Sequence, residues 1–353
     1  METQIRKLDY DAIDMDVIEE AGRVLKEGGL VAFPTETVYG LGGDALNPAS
    51  SEKIYRAKGR PSDNPLIVHI SRKEDVYRIA SQVSKEAQRL MEVFWPGPLT
   101  LIFPKKALVP DKTTGGLPTV AVRMPSDRIA AAFIQAAGGF VSAPSANASG
   151  RPSTTTAAHV AEDLKGRIEM ILDGGQAVIG LESTIVDVSE DRPVILRPGV
   201  ITRGMLEEVV GPVETDQAVI APDSAVKPKA PGMKYRHYAP RAALTIVEGK
   251  PEAVIAAVNQ WTAQAEAEGK RVGIIATDET AACYKGGLVK SLGARSREEE
   301  ISMHLFEVLR SFDDTDVNCI YSESFGEAAI GQAIMNRLLK AAGHRVVEVP
   351  GSK

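Results

Sequence analysis

Between Gly211 and Arg241 the chain carries Pro212, Pro222, Pro228, Pro231 and Pro240, and no helical or strand period persists across them. Each proline removes a backbone donor and fixes one torsion, so a stretch like this interrupts regular structure and divides what lies on either side. The predicted organisation is a larger domain over 1–210, a proline-rich linker over 211–240 and a smaller domain over 241–353. A chain of 353 residues, 44% of them hydrophobic, has enough apolar material for two separate cores.

Before the linker, short β-rich runs alternate with amphipathic segments, the pattern of a mixed α/β domain whose helices cover a twisted sheet. Strands are predicted over 30–33, 66–70, 99–103, 119–124, 140–143, 169–172, 183–188 and 194–196. The clearest helices are 17–27, stopped by Gly28, 85–94, stopped by Pro96, and 127–137, capped by Ser126 and ended by Gly138. After the linker, strands at 244–247, 271–276, 288–292 and 317–321 alternate with helices at 252–268, 297–311 and 327–342. That order predicts a smaller, Rossmann-like, doubly wound parallel sheet. It has no glycine fingerprint and no acid/base cluster, which points to a structural or regulatory role.

The net charge of -6 argues against a protein that grips a polyanion over a broad surface, though it permits a local basic pocket. Cys283 and Cys319 stand far apart without a C-x-x-C partner, so neither a disulfide framework nor a structural zinc site is expected. The first residues alternate charged and apolar groups, and no apolar run approaches a membrane span. A cytoplasmic protein with no membrane contact is expected.

The chemistry concentrates between Phe33 and Ile70. An apolar strand runs into hydroxyls and glycines, then a helix that should begin with Asn47 as cap and Pro48 in first position, then Lys58, Arg60, Asn64 and His69. Two cations around Gly59, with Pro61 and Pro65 restricting the backbone, suit an anion. The plainer reading is a solvated Lys-x-Arg surface and a histidine at the edge of a core. Gly40, Gly42 and Ala45 loosely match a dinucleotide fingerprint, but the helix begins too late for it. No G-x-x-x-x-G-K-[ST] loop occurs.

Three more polar clusters sit at predicted strand ends, where α/β sheets place ligand groups. They are Thr119 with Arg123, the run 142–153 containing Ala143, Ser145, Asn147 and Ser153, and Glu182, Ser183 and Thr184 followed by Arg197. Each alone reads as a polar turn capping a strand.

Together these stretches resemble the YrdC-like threonylcarbamoyl-adenylate synthases in their long form, which carries an extra C-terminal domain. The resemblance rests on FPTETVYGLG, the KxR motif at 58–60 extended as RPSDNPL, WPGPLT, TVAVRMP, the SxN motif in APSAN, LESTIVD, ILRPG and PGMKYRHYAP. It implies a YrdC-like catalytic domain over 1–210 and condensation of L-threonine, bicarbonate or carbon dioxide, and ATP into threonylcarbamoyl-AMP and pyrophosphate. The product would pass to a tRNA threonylcarbamoyl transferase complex, with at most weak contact to tRNA. Residue by residue, Thr37, His69, Arg123, Ala143 and Ser183 resemble the threonine-binding set. Lys58, Arg60, Asn64, Thr119, Ser145, Asn147, Ser153 and Arg197 resemble the ATP set, with Lys58 and Arg60 carrying the catalytic charge. The linker would serve as a lid, Tyr235 or Tyr238 closing over the nucleotide. Mg2+ would accompany ATP, and the resemblance names no metal ligand.

Two other functions fit parts of the pattern. An RNA- or tRNA-binding module without catalysis would use the same cations, although the acidic balance and the lack of interleaved aromatic and basic residues weigh against it. A carbamoyltransferase related by fold would take carbamoyl phosphate, and it usually brings metal-binding or transferase domains that this sequence lacks.

Overall fold

The computed structural model describes residues 1–220, 237–326 and 329–350. These fall into two compact units, one of 1–149 with 153–220 and one of 150–152 with the residues from 237 onward.

In the first unit the described strands are β1 (Gln4–Lys7), β2 (Val31–Phe33), β3 (Gly40–Asp44), β4 (Ile67–His69), β5 (Leu99–Pro104), β6 (Thr119–Arg123), β7 (Val141–Ser142), β8 (Met170–Asp173), β9 (Thr184–Asp187), β10 (Val194–Arg197) and β11 (Glu214–Thr215). They form one mixed sheet in the order β1-β8-β2-β3-β7-β4-β6-β5-β9-β10-β11. β4 runs parallel to β6, and β5 parallel to β9, while β5 and β6 are antiparallel.

Period-2 alternation gives the central strands two different faces. Val68, Leu99, Leu101, Phe103, Val120, Val122 and Val186 enter a large core with Leu90 and Met91 of the helix Lys85–Phe94. The alternate positions, Ile67, Ile102, Ala121 and Ile185, form with Leu196 a small separate apolar patch. His69, Thr100, Thr119 and Arg123 share the face of that patch, because each is an even number of residues from one of its members.

Helix signals are met closely. Asn47 caps Pro48–Lys58 with proline in the first turn, and Gly59 ends it at φ 64°, a left-handed conformation natural to glycine. The helix Arg128–Ala136 is capped by the Asp127 side chain, which accepts from the Ala130 amide, and not by Ser126 as the sequence suggested. Strand β3, rich in glycine, gives no side-chain alternation to read, and β1 lies at the sheet edge with mostly exposed residues. Both escaped the sequence pattern. Residues 211–240 do not begin as a plain linker either: β11 pairs with β10, and a short helix, Gln217–Ile220, follows.

The second unit holds β12 (Ala243–Glu248), β13 (Val272–Ala276), β14 (Leu288–Ser291), β15 (Cys319–Glu323) and β16 (Val346–Glu348), in the order β14-β13-β15-β12-β16. Every pairing is parallel, as strand–helix alternation predicts. β16, three exposed residues at the edge, was not anticipated. Tyr238 is 5% exposed in this unit, its ring 5.1 Å from that of Phe306. Cys283 and Cys319 are free thiols. No described helix is long and apolar enough to cross a membrane.

Candidate active site

The face carrying the small apolar patch also carries the polar groups. β4 and β6 set His69 directly beside Arg123, and β5 sets Thr100 on the other side of Arg123. Arg123 is only 4% exposed. Its Nη1 donates to Thr37 Oγ1 at 2.8 Å and its Nε reaches the Gly97 carbonyl at 3.4 Å. Nη2 lies 2.8 Å from Glu36 Oε2, yet neither atom makes a hydrogen bond, so the contact is ionic and out of line. Thr35 and Thr37 share a 2.9 Å hydroxyl contact that fixes Thr37 in this arrangement.

His69 is fully enclosed, with Nδ1 3.2 Å from the Ile67 carbonyl and its ring edge-on to Phe33. Burial, with the Arg123 charge adding to it, drives its pKa down to about 3, so the imidazole is neutral at working pH. Ala143 lies against the same strand, donating its amide to the Ile67 carbonyl. Thr100 and Ser183 share a 2.7 Å hydroxyl contact, and Arg197 donates to both the hydroxyl and the carbonyl of Ser183, at 3.2 and 3.0 Å. Thr37, His69, Arg123 and Ser183 therefore gather at the C-terminal end of β4 and β6, while Ala143 lies opposite Ile67 at the start of β4.

The residues of the expected nucleotide set are held in several separate groups. Lys58 is buried, its Nζ donating to the carbonyls of Ser145, at 2.5 Å, and Asn147. Ser145 Oγ donates to Asn147 Oδ1 at 2.5 Å, and the Ser149 amide donates to the Lys58 carbonyl. The SxN loop is thus folded around the KxR lysine. Arg60 donates to the Pro65 carbonyl at 3.1 Å, just before β4, while the buried Asn64 Oδ1 has no donor. Thr119 stands at the opposite end of β6 from Arg123, roughly 13 Å along the strand. Ser153 donates to Glu182 at 2.5 Å, one residue from Ser183. Tyr235 lies outside the described residues. The ring of Tyr238 packs against that of Phe306 in the second unit.

Residues 23–199 match the family model described as telomere recombination, and 201–343 match that of the threonylcarbamoyl-AMP synthase C-terminal domain. The threonylcarbamoyl-AMP synthase of Bacillus subtilis is 49% identical over 94% of both chains, and that of Pyrococcus abyssi 47% identical over 94% of this chain and 96% of that one. The chain belongs to the threonylcarbamoyl-AMP synthase family. A crystal structure of P. abyssi Sua5 complexed with L-threonine superposes with a TM-score of 0.93 at 46% identity, covering 98% of this chain and all of that one.

Several residues at this threonylcarbamoyl-AMP synthase site were not in the predicted set. Glu36 meets Arg123, Thr100 joins Arg123 to Ser183, and Glu182 holds Ser153. Glu36 did carry a signal: it is the one charge inside the run 31–43, where every residue is buried. A carboxylate in such a setting requires a cation, and only the fold shows which one.

Proposed function

We propose that the first unit condenses L-threonine, carbon dioxide or bicarbonate, and ATP into threonylcarbamoyl-AMP and pyrophosphate. The observation carrying this reading is Arg123, a buried guanidinium bonded to Thr37 and linked through Thr100 and Ser183 to a second buried arginine, Arg197. An amino acid and a triphosphate are the two anions such a pair would hold side by side.

Arg123 takes the threonine carboxylate, and Thr37, Ser183 and neutral His69 surround the rest of the amino acid. The Ala143 backbone lies where a small neighbour leaves room for the amine. The free amine nitrogen forms a bond to the carbon of carbon dioxide and loses a proton, giving a carbamate. A carbamate oxygen then attacks the α-phosphorus of ATP, and the bond to the β-phosphate breaks with its electrons leaving on pyrophosphate. Lys58, Arg60 and Arg197 neutralise charge on the phosphates, and Asn64, Thr119, Ser145, Asn147 and Ser153 orient the nucleotide.

Magnesium arriving with ATP would supply further charge neutralisation. Among the described residues no three His, Cys, Asp or Glu side chains form a metal cage, which suits an ion held mainly by phosphate oxygens and water. Tyr235 would close over the nucleotide, excluding water from a readily hydrolysed mixed anhydride. The product serves a cytoplasmic tRNA threonylcarbamoyl transferase complex.

The test is pyrophosphate release from ATP with and without L-threonine and bicarbonate. Release that needs all three supports the reading, and release indifferent to threonine removes it. Serine in place of threonine probes the side-chain pocket.

A further inference from the structure

Arg123 is held on three sides, yet one side is held differently from the others. Nη1 and Nε have hydrogen-bond acceptors in Thr37 and Gly97. Nη2 faces Glu36 Oε2 at ion-pair distance without alignment, so the N–H groups of Nη2 and the lone pairs of Oε2 both keep their hydrogen-bonding capacity. Glu36 is not loose: its Oε1 accepts from the Ser126 amide at 3.1 Å, and its own carbonyl accepts from the Ile179 amide. Both side chains are more than nine-tenths buried.

We propose that Glu36 is a charge filter on Arg123, admitting an anion that carries its own ammonium and rejecting one that does not. A simple carboxylate or phosphate reaching Nη2 arrives beside a fixed, buried negative charge and is repelled. A zwitterionic amino acid offers a carboxylate to Nη2 and a compensating ammonium to the same neighbourhood. The device has work to do here, because Arg197 connects to Thr100 beside Arg123 through Ser183. Without a filter, nucleotide phosphates could spread from one arginine to the other. Glu36 thereby sorts the substrates, the zwitterion to Arg123 and the phosphates to Lys58, Arg60 and Arg197.

This inference rests on threonine occupying Arg123. Calorimetric titration of the full chain with L-threonine and with 3-hydroxybutyrate, which is threonine without its amino group, tests both. The ratio of the two affinities should fall by about tenfold or more in Glu36→Gln, which keeps the acceptor for Ser126 but loses the charge. Glu36→Asp, which keeps the charge, should hold the ratio within about threefold of the starting protein. An unchanged ratio in a folded Glu36→Gln protein, or loss of discrimination in Glu36→Asp, overturns the filter. Glu36→Ala supplies the same comparison should the glutamine variant not fold. Failure of the unaltered protein to bind threonine at all would instead remove the underlying reading of the site.

Discussion

Thr37 and Arg123 are 86 residues apart in the chain and joined by a 2.8 Å hydrogen bond that ties the turn after β2 to the end of β6. The same guanidinium also meets Glu36 and the Gly97 carbonyl, so its plane is set before any ligand arrives. A lysine offers one ammonium in place of this fork. Arg123→Lys should raise the threonine KM by about 10- to 100-fold, the scale of a lost charged hydrogen bond, while the ATP KM moves far less. Steady-state pyrophosphate release at varied threonine and ATP measures both, and a parallel rise in the two constants would assign Arg123 to general structure.

Lys58 and Arg60 differ in how they are held, and their variants should differ accordingly. Each alanine substitution is expected to lower turnover by about 10²-fold or more through lost charge stabilisation. Lys58→Ala should in addition loosen the SxN loop, since Nζ bridges the Ser145 and Asn147 carbonyls. Amide exchange across 143–149 should therefore quicken in Lys58→Ala and stay slow in Arg60→Ala. Equal exchange in the two would show that the loop does not depend on the lysine.

His69 links the site to pH. Its folded-state pKa of about 3 lies below the ordinary 6.5, so between those values the unfolded chain binds the proton and the folded one does not. Stability from this group is complete above pH 6.5 and is lost as pH falls toward 3. Going from pH 7 to pH 5 should cost the unaltered protein about 2 kcal/mol more than His69→Gln, as read by urea melts at the two pH values. Identical losses would mean that the imidazole is protonated in the folded site.

Tyr238 and Tyr235 should separate into a packing role and a kinetic one. Removing the Tyr238 ring from Phe306 in Tyr238→Ala should destabilise the protein by about 3 kcal/mol, the usual cost of deleting a buried aromatic. Tyr235→Ala should raise loss of product to water. Thermal melts beside a measurement of adenylate hydrolysis distinguish the two, and an unmoved melt in Tyr238→Ala would contradict the packing.

Much of the secondary structure could be read directly from side-chain order. The helices Pro48–Lys58 and Lys85–Phe94 begin and end where Asn47, Pro48, Gly59 and Pro96 indicate, because caps and breakers act within one turn. β3 could not be read, since its glycines offer no alternation and it exists only through pairing with β2 and β7. That Thr37, His69, Arg123, Ala143 and Ser183 belong to one set was expected only from a family likeness, as nothing in their spacing brings them together.

Local order along the chain set most of the helix limits and many of the strands, because propensity, capping and periodicity operate over a few neighbours. Tertiary structure alone decided that Glu36 faces Arg123, that Thr100 connects Arg123 to Ser183, and that Lys58 folds the SxN loop around itself. Those contacts join segments tens of residues apart. They depend on strand register, which is fixed by the packing of a whole sheet and not by any one stretch of it.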